Sequence, residues 1–412
     1  MTKMPSYTAT TNACKLCKPL GASLAFRGIE SCVPFLHGSQ GCATYMRRYI
    51  ISHFNEPIDI ASSSLGEKQA IYGGGPNLKL GLQNVTSKYT PKIIGVATTC
   101  LTETIGDNVP MILAEYQKEF GTTDTPLVVH VSTPSFAGTH MEGFNAAVRE
   151  IIEQLTVESE PTETINLLSG FISTADIRYL KDVCKDFDID ATILPDYSDT
   201  LDGQALNDYP LIPEGGTPLS AIRTMGGAKA TIELGSTLPP KTGGKVLEQH
   251  TAARGRLIDS MVDGHKYIFG KRAVVYGEED LVVGLTSFLA EIGIHTVLCA
   301  SGGKSGKFES SIAEALEGMD CELPVVKEDV DFFDIETMAK ELKVDLVIGH
   351  SKGYAFARKE NLPLIRVGFP IHDRVGGQRI LHLGYHGAQA LFDLITSTVI
   401  EKKQIDSPIG YS

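Results

Sequence analysis

Apolar and polar positions follow one recurring pattern along this chain: a short β-branched run, a turn rich in glycine or serine, then an amphipathic stretch. That alternation predicts layers of parallel strands joined by crossover helices. The first block reads Lys92-Ile93-Ile94-Gly95-Val96-Ala97, a turn and a helix reaching Ile112, then Leu127-Val128-Val129-His130-Val131 running into Thr133-Pro134-Ser135. Both loops follow strand ends, where open α/β sheets place their ligands. Between Glu158 and Thr164 the apolar period stops and Glu, Ser, Pro and Thr cluster, which marks a boundary.

The second block starts at Thr164-Ile165-Asn166-Leu167-Leu168, continues through a helix near Ala175 to Phe187, and reaches Ala191-Thr192-Ile193-Leu194-Pro195. It then becomes irregular, through Pro213 to Pro218 and Pro239 to Gly244. A third begins at Arg272-Ala273-Val274-Val275-Tyr276-Gly277, with a helix from Glu279 to Ile292 and a return at Thr296 to Ala300. Asp345 to His350 and Pro363 to Gly368 complete its sheet. The expected fold is α/β, with three Rossmann-like domains over 1–160, 161–255 and 256–412, the first carrying the candidate ligands.

Composition narrows the class. With 412 residues, 42% of them hydrophobic, the chain can build several cores without covalent staples. A formal charge of −13 removes the electrostatic footprint of a nucleic-acid binder. No apolar run approaches the roughly 20 residues of a membrane span, and no secretory signal pattern opens the chain, so no membrane is expected and the expected compartment is the cytoplasm.

A reducing compartment makes the eight cysteines thiols or metal ligands rather than disulfides. Cys184, Cys299 and Cys321 lie in apolar context, and Cys32 stands beside Val33 and Pro34; all four read as buried thiols. Cys14 and Cys17 form a CxxC, a weak signal open to zinc, redox chemistry or neither. Cys17, Cys42 and Cys100 are each flanked by small or turn-forming residues, which lets a thiolate stand clear of the backbone and meet an iron–sulfur cluster.

In Gly38-Ser39-Gln40-Gly41-Cys42, the glycines Gly38 and Gly41 can turn their amides toward a cluster sulfide. The alternative is a tight turn before a helix from Thr44 to Phe54, with Cys42 buried behind it. Cys100 opens a helix after a buried strand, where the helix dipole favours a thiolate; its alternative is a packed thiol beside capping threonines. Ser135 is expected to cap the turn that follows it. The Gly73-Gly74-Gly75 run reads as a flexible loop. The turn from Gly302 to Lys307 reads as basic surface, because the first glycine of a phosphate loop would fall at Leu298. Histidines such as His37, His53 and His130 read as hydrogen-bonded structural groups.

The strings CKPLGA, HGSQGCATY, ISHFNEPIDIASSS, YGGGPNLKLGLQNV, ATTCLTETIGDN, HVSTPSFAGTH, DLVIGHSKGYAFAR and PLIRVGFPIHDR together resemble the β-type subunits of the nitrogenase component 1 superfamily. The resemblance runs from about Asn12 to the end and is nearest the scaffold branch that matures the iron–molybdenum cofactor. It implies three Rossmann-like domains and a homologous NifE-like α-type subunit in an α2β2 heterotetramer. It also implies a [4Fe-4S] cluster at each αβ interface, a cofactor precursor held mainly by the partner, and a nucleotide-dependent iron protein docking over the interface. In such scaffolds the β-type chain supplies one thiolate, here Cys42.

Catalytic β subunits use more ligands, for an eight-iron P-cluster, at positions matching Cys17, Cys42, Cys100 and Ser135. All four are retained, so the resemblance also admits a working nitrogenase or a related reductase such as a methylthio-alkane reductase. The short stretch before Cys14 and the closing SPIGYS fit the scaffold branch. Near Gln249 to Ala253 the family carries further residues, so the middle domain is expected to be shortened. A nucleotide-dependent dehydrogenase on the same layers is disfavoured, because no GxGxxG follows the first strand of any block.

Overall fold

In the computed structural model the described residues are 16–122, 125–157, 159–206, 208–234 and 248–409, with side chains described from 254 in the last range. Cys14 and the segment from Pro239 to Gly244 lie outside them, as do Glu158 and the last residues of SPIGYS. Strands are joined by one or two helices along most of the chain, and every ladder among the described residues is parallel. The α/β layering expected from the apolar pattern is therefore present. The chain divides into two compact units, Cys17–Leu238 with Arg374–Leu383, and Pro239–Asp373 with Gly384–Ser412.

The first unit contains two sheets. Its leading sheet is built by β1 (Cys32–His37), β2 (Ala61–Ser62), β3 (Ile93–Thr98) and β4 (Leu127–Val131) in the order β2-β1-β3-β4. The helices around it are α1 (Lys18–Arg27), α2 (Gln40–Phe54), α3 (Glu67–Tyr72), α4 (Gly75–Tyr89), α5 (Cys100–Ile105), α6 (Val109–Phe120) and α7 (His140–Leu155). β1 and β3 are buried at every position, as strands covered on both faces must be. Val33, Phe35, Ile94 and Val96 form one core with Leu78, Leu82 and Val85 of α4 and Ile112 and Tyr116 of α6.

The second sheet of this unit has the order β6-β5-β7, from β5 (Ile165–Leu168), β6 (Ala191–Leu194) and β7 (Ala230–Glu233), with α8 (Thr174–Asp186) and α9 (Leu219–Thr224). The other unit holds α10 (Glu248–Ile268), β8 (Arg272–Tyr276), α11 (Glu279–Glu291), β9 (His295–Ala300), α12 (Phe308–Ala315), β10 (Val325–Lys327), α13 (Phe332–Leu342), β11 (Leu346–Gly349), α14 (Tyr354–Lys359), β12 (Leu364–Arg366) and α15 (Gly384–Asp406). Its sheet order, β10-β9-β8-β11-β12, is the Rossmann order 3-2-1-4-5.

Three local features depart from the sequence pattern. The chain after Gly38 does not wait until Thr44 to become helical: α2 starts at Gln40, because the Ser39 hydroxyl accepts the Gly41 N–H and caps it. β1 escaped the pattern because Pro34 interrupts it, yet β2 pairs only Phe35 and Leu36, so the proline lies where that side of β1 is unpaired. The Gly73 to Gly75 run is a helix junction rather than a flexible loop. Gly74 caps α4, and its N–H is held by both Asp107 oxygens at 3.1 and 3.0 Å.

In the Gly302 to Lys307 turn, the Ser305 N–H goes to Glu279 and the Gly306 and Phe308 N–H groups go to Glu328. Carboxylates already occupy the amides a phosphate would need.

Helices α1 and α7 meet backbone to backbone through two glycines. A Cβ on Gly21 would lie 1.6 Å from the His140 carbonyl oxygen, and one on Gly143 would lie 1.9 Å from that of Lys18. This contact holds the start of α1, and with it Cys17, against the loop after β4. Gly143→Ala is therefore expected to lower the thermal unfolding midpoint, by the equivalent of about 1–3 kcal/mol or more. Gly284→Ala, on α11 with nothing within 4 Å, should instead be neutral or raise stability by roughly 0.4–1 kcal/mol. Calorimetry on the two variants checks the contrast.

Candidate metal centre

In the leading sheet the strand order reverses between β1 and β3, so the loops leaving those strands diverge and open a crevice at the carboxyl edge. Cys42 follows β1 and Cys100 follows β3. The strands end level, His37 pairing with Thr98, so the two loops emerge side by side. Gly38 makes that close approach possible: a Cβ there would sit 2.1 Å from Thr99 Oγ1.

Each of the three thiols stands at a helix start. Cys17 is the N-cap of α1, Cys100 is the first residue of α5, and Cys42 lies in the capped first turn of α2. Unpaired N–H groups at those ends favour negative charge. Cys42 and Cys17 are half-buried and Cys100 is exposed. Burial pushes the Cys42 thiol above its ordinary value, and negative charge on Cys17 and Cys100 pushes it further, so all three sulfurs lie within electrostatic reach.

Ser135 joins the same edge. Its hydroxyl accepts the Lys18 N–H at 3.2 Å, and its own N–H points to Cys100 Sγ at 3.3 Å. Contrary to expectation, the turn that follows it has no side-chain cap; the Ser135 hydroxyl instead takes the first N–H of α1. Glu103, one turn beyond Cys100, accepts from Ser132 Oγ at 2.5 Å and from Thr98 Oγ1, tying the ends of β3 and β4 together. Glu103 and Asp107 carry no motif of their own in the sequence; their one signal is their place in TETIGDN beside Cys100.

The structure thus gathers Cys17, Cys42, Cys100 and Ser135 at one sheet edge. The amides of Gly38 and Gly41, expected to face a cluster, are already used: Gly38 N–H donates to Ser63 Oγ at 2.9 Å and Gly41 N–H to Ser39 Oγ at 3.3 Å. Among the described residues, no three His, Cys, Asp or Glu side chains converge on a point that would hold a single metal ion. A polynuclear cluster makes a different demand, since its thiolates bind separate irons and must stand apart. The donor set fits such a group: soft sulfur ligands, helix starts behind them, and one face open.

Of the four cysteines expected to be buried thiols, Cys32 and Cys299 are buried, whereas Cys184 and Cys321 reach only partial burial. Cys32 and Cys299 are fully buried, and burial pushes both up to about 12; Cys299 Sγ also pairs with Thr286 Oγ1 at 3.2 Å. Cys184 and Cys321 are half-buried, and each described cysteine is free. A cavity of about 680 Å³ beside edge strand β4 is lined by Leu113, Tyr116, Val128, His130, Glu150 and Gln154, and by none of the cysteines. There Gln154 pairs with the backbone of His130 in both directions and covers the strand edge. Among the described residues no helix is long and apolar enough to cross a membrane.

The family described as nitrogenase component 1 type oxidoreductase matches residues 17–251 and 242–400. The nitrogenase molybdenum-iron protein beta chain of Clostridium pasteurianum is 35% identical, over 95% of this chain and 93% of its own. That alignment runs over 427 positions, more than the 412 residues present here, so the relative carries residues this chain lacks. The beta chain of Methanothermobacter thermautotrophicus is 34% identical over 94% of this chain and 93% of its own. Among solved structures, nitrogenase Cp1 at pH 6.5 superposes with a TM-score of 0.92 at 32% identity, covering 98% of this chain and 96% of that one.

The His37 imidazole behind this edge supplies a test of the local packing. Burial holds its pKa below the ordinary 6.5, outweighing the pull of Asp107, and burial lowers His130 likewise. The unfolded chain then takes up these protons at higher pH than the folded one, so stability is full above about 6.5 and is lost as pH falls below it. Acidification from pH 7 to pH 5 should lower the thermal midpoint. His37→Gln, which cannot titrate, should show a shallower slope in the same scan.

Proposed function

The chain belongs to the nitrogenase component 1 family as a β-type subunit, and we propose that it works as a NifN-like half of a cofactor-assembly scaffold. In this reading Cys42 supplies the one thiolate that this chain gives to a [4Fe-4S] cluster shared with a NifE-like α-type partner. The assembly is an α2β2 heterotetramer served by a nucleotide-dependent iron protein, with the iron–molybdenum cofactor precursor held mainly by the partner. The observation that carries it is the engagement of the other candidate ligands. The Ser135 hydroxyl accepts the Lys18 N–H and Cys100 Sγ accepts the Ser135 N–H, which leaves Cys17 and Cys42 as the half-buried thiols of the crevice; of the two, Cys42 is the one in the GSQGC turn that the scaffold resemblance assigns the single thiolate.

A bound cluster would supply one-electron transfer; this chain's part is to hold a thiolate at the helix start, keep it partly out of water, and leave one face for the partner. Deprotonated ligands from two chains meet only in the complex, so metal binding and assembly are coupled. The splitting of the family match into two segments that overlap at 242–251, and the extra residues of the Clostridium pasteurianum chain, support a shortened middle domain. A separate parallel sheet in each segment supports the division into 1–160, 161–255 and 256–412.

The second reading is the β subunit of a catalytic nitrogenase or nitrogenase-like reductase, with Cys17, Cys42, Cys100 and Ser135 all serving an eight-iron P-cluster. The gathering of those four at one edge favours it, as do relatives that are molybdenum-iron protein beta chains. Iron analysis and EPR on the anaerobic complex with its α-type partner separate the two. The scaffold reading expects Cys42→Ala to abolish the interface cluster while Cys17→Ala and Cys100→Ala keep it. Loss or conversion of an eight-iron centre in all three variants would establish the reductase reading instead.

A further inference from the structure

The loop that carries Cys42 hangs from a buried imidazole. His37 is the last residue of β1 and is fully buried; its Nδ1 lies 2.9 Å from Ser63 Oγ and its Nε2 3.0 Å from Asp107 Oδ2. A carboxylate only accepts, so Nε2 carries the proton and Nδ1 accepts from the Ser63 hydroxyl. Ser63 Oγ in turn accepts the Gly38 N–H at 2.9 Å. The Gly38 carbonyl accepts from Ser62 Oγ at 3.2 Å and from Leu65 N–H at 2.9 Å, fixing the next peptide, between Gly38 and Ser39.

The same residue ties in the neighbouring loops. The His37 carbonyl accepts the Thr99 N–H at 3.1 Å and Thr102 Oγ1 at 3.0 Å, which anchors the turn before Cys100. Asp107, at the far end of that segment, also holds the Gly74 N–H. One imidazole therefore joins the loops after β1, β2 and β3 and the start of α4. Ser63 and Thr102 are both buried, where satisfied polar networks are directional and rigid.

We propose that the chain Ser63–His37–Asp107 is a positioning relay for the Cys42 thiol, setting its place at the sheet edge before any metal arrives. The proposal rests on the reading of Cys42 as a cluster ligand. The three residues act on the Cys42 sulfur through Gly38, whose N–H Ser63 holds. Apolar residues of the same volume would fill the space but could not orient the Gly38 peptide. A relay of this kind sets cluster geometry and potential from behind the ligand.

The test uses the complex with the α-type partner, purified anaerobically, with Ser63→Ala and Asp107→Asn as variants. Ser63→Ala leaves the Gly38 N–H and Nδ1 unpaired; Asp107→Asn keeps the shape but offers one acceptor oxygen to two donors. Ser173→Ala, which removes the α8 cap far from the relay in sequence, serves as the destabilised control. Both relay variants are expected to shift the EPR g-values and midpoint potential of the reduced centre, or to lose part of its iron, with circular dichroism unchanged. Ser173→Ala should lower only the thermal midpoint. If the relay variants behave like Ser173→Ala, the network is structural and the proposal falls. Should Ser63→Ala fail to fold, Asp107→Asn decides alone. A Cys42→Ala complex that keeps the wild-type centre would overturn the ligand reading instead, a result distinct from failure of the relay.

Discussion

The parallel pairing of β1 with β3 is the constraint on which the rest depends. Six consecutive residues pair, from Cys32 with Ile93 to His37 with Thr98, and because the two strands end together their loops leave the sheet at one level. The strand order reverses between them, so those loops must part. Cys42 and Cys100 are carried to the crevice by this topology before any side-chain chemistry enters. A one-residue slip in that register would turn every side chain of β1 to the opposite face and move Cys42 away from Cys100.

Around this pairing the chain assembles a polar edge on an apolar body. The core below it is made of Val, Ile, Leu and Phe from the two strands and from α4 and α6. Above it, hydroxyls and carboxylates of Ser63, Thr98, Thr102, Glu103 and Asp107 satisfy the backbone groups and His37 at the strand ends. Leaving any of these buried groups unpaired costs about 1–3 kcal/mol each, so the network is specific as well as stabilising. Cys17 reaches the edge by another route, through the glycine-mediated contact of α1 with α7 and the Ser135 cap on Lys18.

The apolar pattern announced the layers well. Ile93–Thr98, Leu127–Val131, Ile165–Leu168, Arg272–Tyr276 and Leu346–Gly349 are strands within a residue or so of where the β-branched runs place them. β1 was not legible, because Pro34 breaks its pattern and only the short reach of β2 makes room for it. The cysteines were legible as chemistry, since Cys17, Cys42 and Cys100 sit beside turn residues, and the structure gathers them. Their supports were not. Asp107 reaches His37 across 70 residues and Ser135 caps Lys18 across 117, and no local propensity encodes such partners. The amides of Gly38 and Gly41 looked free in sequence because the hydroxyls of Ser63 and Ser39 that take them belong to folded geometry.

On the proposed function, the carboxyl edge between β1 and β3 is an iron–sulfur site with Cys42 as its ligand. Anomalous diffraction at the iron edge, from anaerobic crystals of the chain with its α-type partner, tests it most directly. The expected result is iron bonded to the Cys42 sulfur at the boundary between the two chains. Ordered Cys42 with no iron bonded to it, in crystals that hold iron elsewhere, would contradict it.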